Sequence, residues 1–311
     1  MKNRKKGVLI TNAFLRTAKF TEHYLWLRDA AARYDVELVQ KENTEVLAFC
    51  GEELTWLDAY DFVIFWDKDI GLGEEITRYA AEHGIRIYNS VESIAVCDDK
   101  FETYHRLAVW NTKYPDRKVR LLPTIKAPMT YANIGYTNLT FLDTVEQRLG
   151  YPLIVKECFG SFGMQVYMAG NRSELEELTK RLAGRPFLYQ KFWQESAGRD
   201  VRLQVVGDQV VAAMERCSRQ GDFRANITNG GSMLPYEPSA EEQELAVRTA
   251  QILGLDFAGV DLLFDENGQA GIVCEVNSNA HFQNIHTCTG VNVADAILAH
   301  IMKQFRGESL L

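Results

Sequence analysis

The run Ala258-Gly-Val-Asp261-Leu-Leu-Phe-Asp-Glu-Asn-Gly-Gln-Ala-Gly-Ile-Val-Cys-Glu275-Val-Asn277 constrains this chain more than any other stretch. It predicts strands over 260–264 and 271–276, joined by a turn marked by Asn267-Gly268. Residues two apart in a strand share a face, so Glu275 and Asn277 point the same way. The place of Asp261 depends on the loop. A two-residue Asn267-Gly268 turn pairs Asp261 with Cys274 and sends Asp261 and Glu275 to opposite faces. A three-residue loop, 267–269, pairs Asp261 directly with Glu275. We expect the second, because it gathers two carboxylates and a carboxamide oxygen on one surface. Such a set suits magnesium, which takes hard oxygen ligands and leaves its remaining positions to water and phosphate. Without a cation, adjacent carboxylates repel and lose hydration, unless the pair lies on a solvated edge.

A chain of 311 residues exceeds one typical core, so two or three packed subdomains are expected. No apolar run approaches the roughly 18 residues of a membrane span, and no signal-type segment follows the lysine-rich 1–6. A net charge of −8 argues against a nucleic-acid surface. The six cysteines contain no C-x-x-C pattern, which suits reduced thiols in the cytoplasm.

The first 90 or so residues alternate strand and helix: strands over 7–12, 36–40, 61–66 and 85–88, with helices between. This order describes a doubly wound parallel-sheet domain over 1–92. It has no glycine-rich dinucleotide fingerprint. One helix is expected over 93–110, carrying Lys100, then irregular structure over 115–135 and a helix over 139–149. Two α+β subdomains follow from this division, 93–185 and 186–311. Capping boxes are expected at Ser173–Glu176 and Ser239–Glu242.

Within 151–166, a strand ending in Lys156 runs into a loop holding Gly160, Ser161 and Gly163. The glycines permit positive φ and let backbone N–H groups approach an anion. The lysine precedes the glycines, so this is not the G-x-x-x-x-G-K-[ST] loop. A plain hairpin with a glycine turn has the same pattern. A lysine in an otherwise apolar strand needs a partner, however, and a phosphate would serve.

These motifs occur in order with Gln190-Lys191-Phe192, Gly198-Arg199-Asp200-Val201-Arg202, Gly221-Asp222-Phe223-Arg224-Ala225-Asn226, Ala258-Gly-Val-Asp261, Glu275-Val-Asn277 and Thr289-Gly-Val-Asn-Val-Ala294. Together they resemble the ATP-grasp superfamily over about 99–301. The likeness is greatest to its RimK-like branch, whose type member joins glutamate to a ribosomal protein. The resemblance implies an α/β architecture of the ATP-grasp kind, with the N-terminal domain followed by two subdomains clamping ATP. It also implies an ATP-dependent carboxylate–amine ligase working through an acylphosphate, with an amino acid among its substrates. A small-molecule kinase and a non-catalytic nucleotide-binding regulator remain alternatives.

The implied cofactors are ATP and two magnesium ions, with manganese as a substitute. The implied partners are small-molecule or peptide carboxylates and amines, with neither nucleic acid nor membrane; a homo-oligomer is compatible with it. By resemblance, Lys100 and Lys156 hold nucleotide phosphates beside the Gly160–Ser161–Gly163 loop, which is the candidate lid. Gln190, Lys191 and Phe192 fall at the adenine, and Asp200 at the ribose. Arg224, Ala225 and Asn226 neighbour the γ-phosphate and the reacting carboxylate. Asp261, Glu275 and Asn277 match the metal ligands, and Arg202 and Arg216 are additional phosphate or substrate contacts. The chain departs from its relatives at Thr228-Asn229-Gly230-Gly231, where they read His-Arg-Gly-Gly, and again at 279–284. Both departures fall where substrate choice lies. His281 and His286 either touch the acceptor there or simply line a loop.

Overall fold

The computed structural model describes residues 4–160, 163–218, 221–225 and 231–306. The chain begins with β1 (Lys5–Thr11), α1 (Ala18–Arg33), β2 (Val36–Glu42), β3 (Phe62–Trp66), α2 (Ile70–Glu82) and β4 (Arg86–Tyr88). These strands form a parallel sheet in the order β2-β1-β3-β4. Alternation along the central strands decides what covers each face. Leu9, Phe62, Ile64 and Trp66 pack into one core, and Val8, Ile10, Val63 and Phe65 into another. The second core is closed by α2 and α3 (Val91–Asp98). At Gly7 an added Cβ would stand 2.3 Å from the Phe62 ring, so close strand–ring contact there requires glycine.

The expected single helix over 93–110 is two helices. Asp99 adopts extended backbone (φ −87°, ψ 106°), ending α3 and opening α4 (Lys100–Lys113) by accepting from the amides of Phe101 and Glu102. Aspartate caps a new helix well enough to break a continuous apolar pattern. Residues 115–135 are also less irregular than expected. They contain β5 (Thr124–Lys126), which pairs with an edge of the second sheet.

That sheet is built from β5, β6 (Leu153–Glu157), β7 (Val166–Ala169) and β8 (Phe187–Lys191), in the order β5-β8-β6-β7, all antiparallel. Its core includes side chains of α5 (Phe141–Leu149) and α6 (Arg172–Arg181). The cap of α6 is Asn171, not Ser173: its side chain accepts from the Glu174 amide at 3.0 Å, and Glu174 bonds back to the Gly170 amide. Asparagine two residues earlier offers the same acceptor, so the helix starts there.

The third sheet holds β9 (Arg199–Val206), β10 (Gln209–Cys217), β11 (Ser232–Pro235), β12 (Phe257–Phe264) and β13 (Ala270–Asn277), in the antiparallel order β11-β10-β9-β12-β13. Helix α7 (Ala240–Ile252) crosses it and opens with the capping box expected at Ser239 and Glu242. The chain continues through α8 (Gln283–Thr289) to α9 (Val293–Phe305). Apolar residues of α9 share a core with α1 and the first sheet. The first and third sheets are thereby joined by buried side chains. Asn89 reinforces the junction, donating to the carbonyls of Phe257 and Ser278 and accepting from the amides of Asp256 and Phe257.

Candidate active site

The expected pairing of Asp261 with Glu275 forms, but by a different route. Phe264 pairs with Ala270, Leu263 with Ile272, Leu262 with Val273, Asp261 with Glu275 and Gly259 with Asn277. The loop closes between Asp265 and Gln269, around Glu266, Asn267 and Gly268. Irregularities at Leu263/Phe264 and Asp261/Leu262 then shift the register twice. The second shift brings Asp261 opposite Glu275. A bulge does what loop length was expected to do.

This hairpin forms one wall of a cavity of about 650 Å³, whose lining also takes residues from the first and second sheets. Of the residues singled out from sequence, Lys156, Gly163, Gln190, Lys191, Phe192, Asp200, Arg202, Arg216, Arg224, Ala225, Asp261, Glu275 and Asn277 line it. Lys100 and Gly160 sit beside it, bonded to each other: the Lys100 ammonium donates to the Gly160 carbonyl at 2.7 Å, and the Lys100 amide donates to the Cys158 carbonyl. Ser161, Asn226 and the 228–230 part of the substrate-choice segment lie outside the described residues.

Cross-strand neighbours on β9, β10 and β12 create a chain of buried charges. Arg202 stands opposite Asp261 and holds it with two bonds of 2.7 Å. Arg216 stands opposite Asp200, holds it with two more of 2.7 Å, and reaches Asp261 at 2.9 Å. Arg202 and Arg216, expected at phosphate or substrate, thus also fix the carboxylates of this wall. Burial pushes the Asp261 carboxyl up, but Arg202 and Arg216 outweigh it and hold the group below the usual carboxylate range.

Glu275 differs from Asp261: among the described residues it makes no ion pair or hydrogen bond. Asn277 Nδ2 is buried without a partner. No cluster of three or more His, Cys, Asp or Glu side chains suited to a metal occurs among the described residues. Asp200 is held by Arg216, and the remaining oxygen donors on this wall, Asp261, Glu275 and Asn277, are a hard set that fits magnesium only if water and phosphate complete its shell. Cys274 lies between them in sequence and also lines the cavity. Burial pushes its thiol up to about 11, so it stays protonated at neutral pH and is a poor nucleophile.

The opposite wall is positive. Lys156 enters from β6 and makes no ion pair among the described residues. Burial lowers the Lys100 ammonium from the usual lysine range; Glu275 opposes the shift, and Lys156 and Lys68 add to it. Gly160 and Gly163 both have positive φ, 136° and 70°, as their place in a tight loop requires. Arg224 spans to that loop, donating to the Gly163 carbonyl at 3.0 Å while paired with Asp222. Gln190 is buried and donates to Thr124, and the Phe192 ring meets Phe223 edge-on.

Sequence reasoning assigned nothing to the N-terminal sheet, yet Asn12, Tyr24, Trp66, Asp67 and Lys68 line the same cavity. Asn12 follows β1 and Asp67 follows β3, at the carboxyl ends of parallel strands, where open α/β sheets bind ligands. That rule was the available signal. Of the two histidines, His281 lines the cavity and packs against Phe20 and His23, whereas His286 packs on Trp26.

Comparison with known proteins identifies the family and the fold. Residues 98–301 match the model of the RimK-like ATP-grasp domain. Beta-citrylglutamate synthase B of Danio rerio is 32% identical over 237 residues, which is 76% of this chain and 54% of the relative. The chain spans about half the length of that protein. A probable alpha-L-glutamate ligase of Syntrophotalea carbinolica is 34% identical over 255 residues, 81% of this chain and 79% of the relative. Among solved structures, the ATP-grasp ligase PsnB, complexed with a phosphomimetic variant of its minimal precursor, Mg and ADP, superposes with a TM-score of 0.66. That match has 17% identity and covers 97% of this chain and 99% of that one. By domain match and relatives together, this chain belongs to the RimK-like ATP-grasp family.

Proposed function

We propose that this chain is an ATP-dependent ligase that joins a carboxylate to an amine, with an amino acid as one substrate. The observation that carries this reading is the pairing of Asp261 with Glu275, two strand positions from Asn277 and on the same face, across a cavity from Lys156. Relatives named as a glutamate ligase and a citrylglutamate synthase support the amino-acid assignment.

Each residue has a part in this reading. Lys156 and Lys100 neutralise nucleotide phosphates, with Gly160, Ser161 and Gly163 supplying backbone and hydroxyl donors. Gln190, Lys191 and Phe192 bound the adenine, and Asp200 lies toward the ribose. Asp261, Glu275 and Asn277 would hold magnesium, two ions in this reading, and manganese would substitute. When bound, the metal offsets phosphate charge. Arg202 and Arg216 keep Asp261 ionised and aimed. Arg224, with Ala225 and Asn226, adjoins the reacting carboxylate.

The reaction brings two anions together. A carboxylate oxygen attacks the γ-phosphorus, and the bond to the ADP oxygen breaks. The acylphosphate carbonyl is then attacked by an amine nitrogen, which loses its proton as phosphate leaves and the amide forms. Fixed cations on the Lys156 wall lower the cost of the first step, and no cysteine or serine nucleophile is required. We infer working units of 1–92, 93–185 and 186–311. The first and third share a core, and α3, α4 and Val119 also pack on the third sheet, so motion of the second sheet with α5 and α6 against that body would open the cavity. Free cysteines suit a reducing, cytoplasmic setting.

Hydroxylamine trapping tests the reading. With ATP, magnesium and a panel of amino acids and small carboxylates, a hydroxamate should form alongside ADP and phosphate. A stable phosphorylated product with ADP release and no hydroxamate would mean a kinase instead.

A further inference from the structure

The wall contributed by the N-terminal sheet contains a carboxylate that the chemistry above does not use. Asp67 is 5% exposed and lines the cavity. Its Oδ1 accepts from the Asn12 side chain at 3.1 Å and from the Lys68 amide at 2.7 Å. Its Oδ2 is buried and has no hydrogen-bond partner among the described residues. A half-satisfied buried carboxylate is costly to keep.

The surroundings narrow what could complete it. Leu15, Phe20, Tyr24 and Trp66 line the same wall, so the site is apolar and aromatic around one anionic group. The neighbouring cation, Lys68, is paired with Asp98. Asp69 also lines the cavity, but its carboxylate caps α2 by accepting from the Leu72 amide. Asp69 is exposed, so Asp67 is the buried carboxylate of this wall with an open oxygen. A cation beside it would be held in a poorly screened environment, with aromatic faces nearby that also attract positive charge. Burial raises the Asp67 carboxyl above its ordinary range, as expected of a group lacking its partner.

We propose that Asp67, in the cavity it lines with Phe20 and Tyr24, is the subsite that receives the α-ammonium group of the amino-acid substrate. This rests on the ligase reading and adds to it the side chain that recognises the amine. An ammonium has donors for Oδ2, whereas an acylated nitrogen brings no charge and a bulky group into an apolar corner. The subsite binds and orients the substrate; no proton transfer is assigned to Asp67.

The test is calorimetric titration of L-glutamate, L-alanine and L-lysine, each against its N-acetyl counterpart, into the full chain carrying AMP-PNP and magnesium. At least one free amino acid should bind more tightly than its acetylated form by about tenfold or more. In Asp67→Asn that preference should fall below about threefold, whereas Asp69→Asn, which keeps the helix cap, should retain it. Asp67→Ser provides a second neutral variant if the first fails to bind AMP-PNP as wild type does. The proposal is overturned if no free amino acid binds, if acetylated forms bind as well, or if the preference survives in a folded Asp67 variant. The hydroxamate assay separates the two readings. Hydroxamate without ammonium preference removes only the subsite, and ammonium preference without hydroxamate removes only the ligase.

Discussion

The two charged walls of the cavity are built on opposite plans. On the β9–β13 sheet, Asp200, Arg216, Asp261 and Arg202 satisfy one another through cross-strand bonds of 2.7–2.9 Å. On the β6 side, Lys156 makes no ion pair among the described residues, and Lys100 has a backbone carbonyl rather than a carboxylate. The first wall is organised before any ligand arrives. The second holds positive charge in reserve and is completed only by an incoming anion. A site that must gather several negative groups benefits from both: a fixed carboxylate face that does not reorganise, and cations not already neutralised.

Breaking the first wall at its unpaired member should have the largest effect. Glu275→Gln removes a charge without changing shape. It should lower ADP release on the order of 100–1,000-fold, with ATP affinity falling less. Wild-type turnover at saturating magnesium would remove Glu275 from the site.

Breaking the same wall at its shared member should reach the fold. Arg216→Met leaves Asp200 without its partner and Asp261 with one arginine. It should cost about 3–5 kcal/mol in urea unfolding, the range for removing one member of a buried pair. An exposed pair such as Arg78–Glu75 should cost about 1 kcal/mol or less. Equal losses at the two places would erase the contrast between paired burial and surface pairing.

The second wall should respond in binding rather than stability. Lys156→Ala should weaken ATP binding by about 1.5–3 kcal/mol by calorimetry, with unfolding still cooperative. If the nucleotide binds unchanged, the reserve charge serves something else.

The smallest effect sharpens the comparison through pH. Asp261 is held low, so its contribution to stability is present above the ordinary carboxylate range and is lost as pH falls through its depressed folded value. Asp67 is shifted the other way. Its ionised form costs stability at neutral pH, and the cost disappears as the group protonates on acidification. Asp67→Asn should therefore be more stable than wild type at pH 7, by about 0.5–2 kcal/mol. That advantage should close as pH falls through the raised folded value toward the ordinary aspartate range, and be gone below it. An unfolding series from pH 7 to pH 3 reads both trends.

What could be read from the chain alone follows from local pattern. The parallel first sheet, the lysine strand with its glycine loop, and the carboxylates of the 258–279 run were legible, because period-two alternation and turn residues act between near neighbours. Even there the route was not. Asp261 meets Glu275 through two bulges: Gly271, unpaired at the first, is a composition signal, but Cys274, unpaired at the second, is none. Asp99 split a helix because one capping side chain outweighed a continuous apolar periodicity. Tertiary structure alone decided the rest. Arg202 and Arg216, 59 and 45 positions before it in sequence, find Asp261 across strands. Helix α9 returns from the far end of the chain to cover the first sheet, and Asp67 is carried to the cavity by a domain whose own residues announce only a sheet. Side chains that meet through long loops leave no spacing to read; their partners are set by which sheets can share a core, and burial then makes those pairings matter.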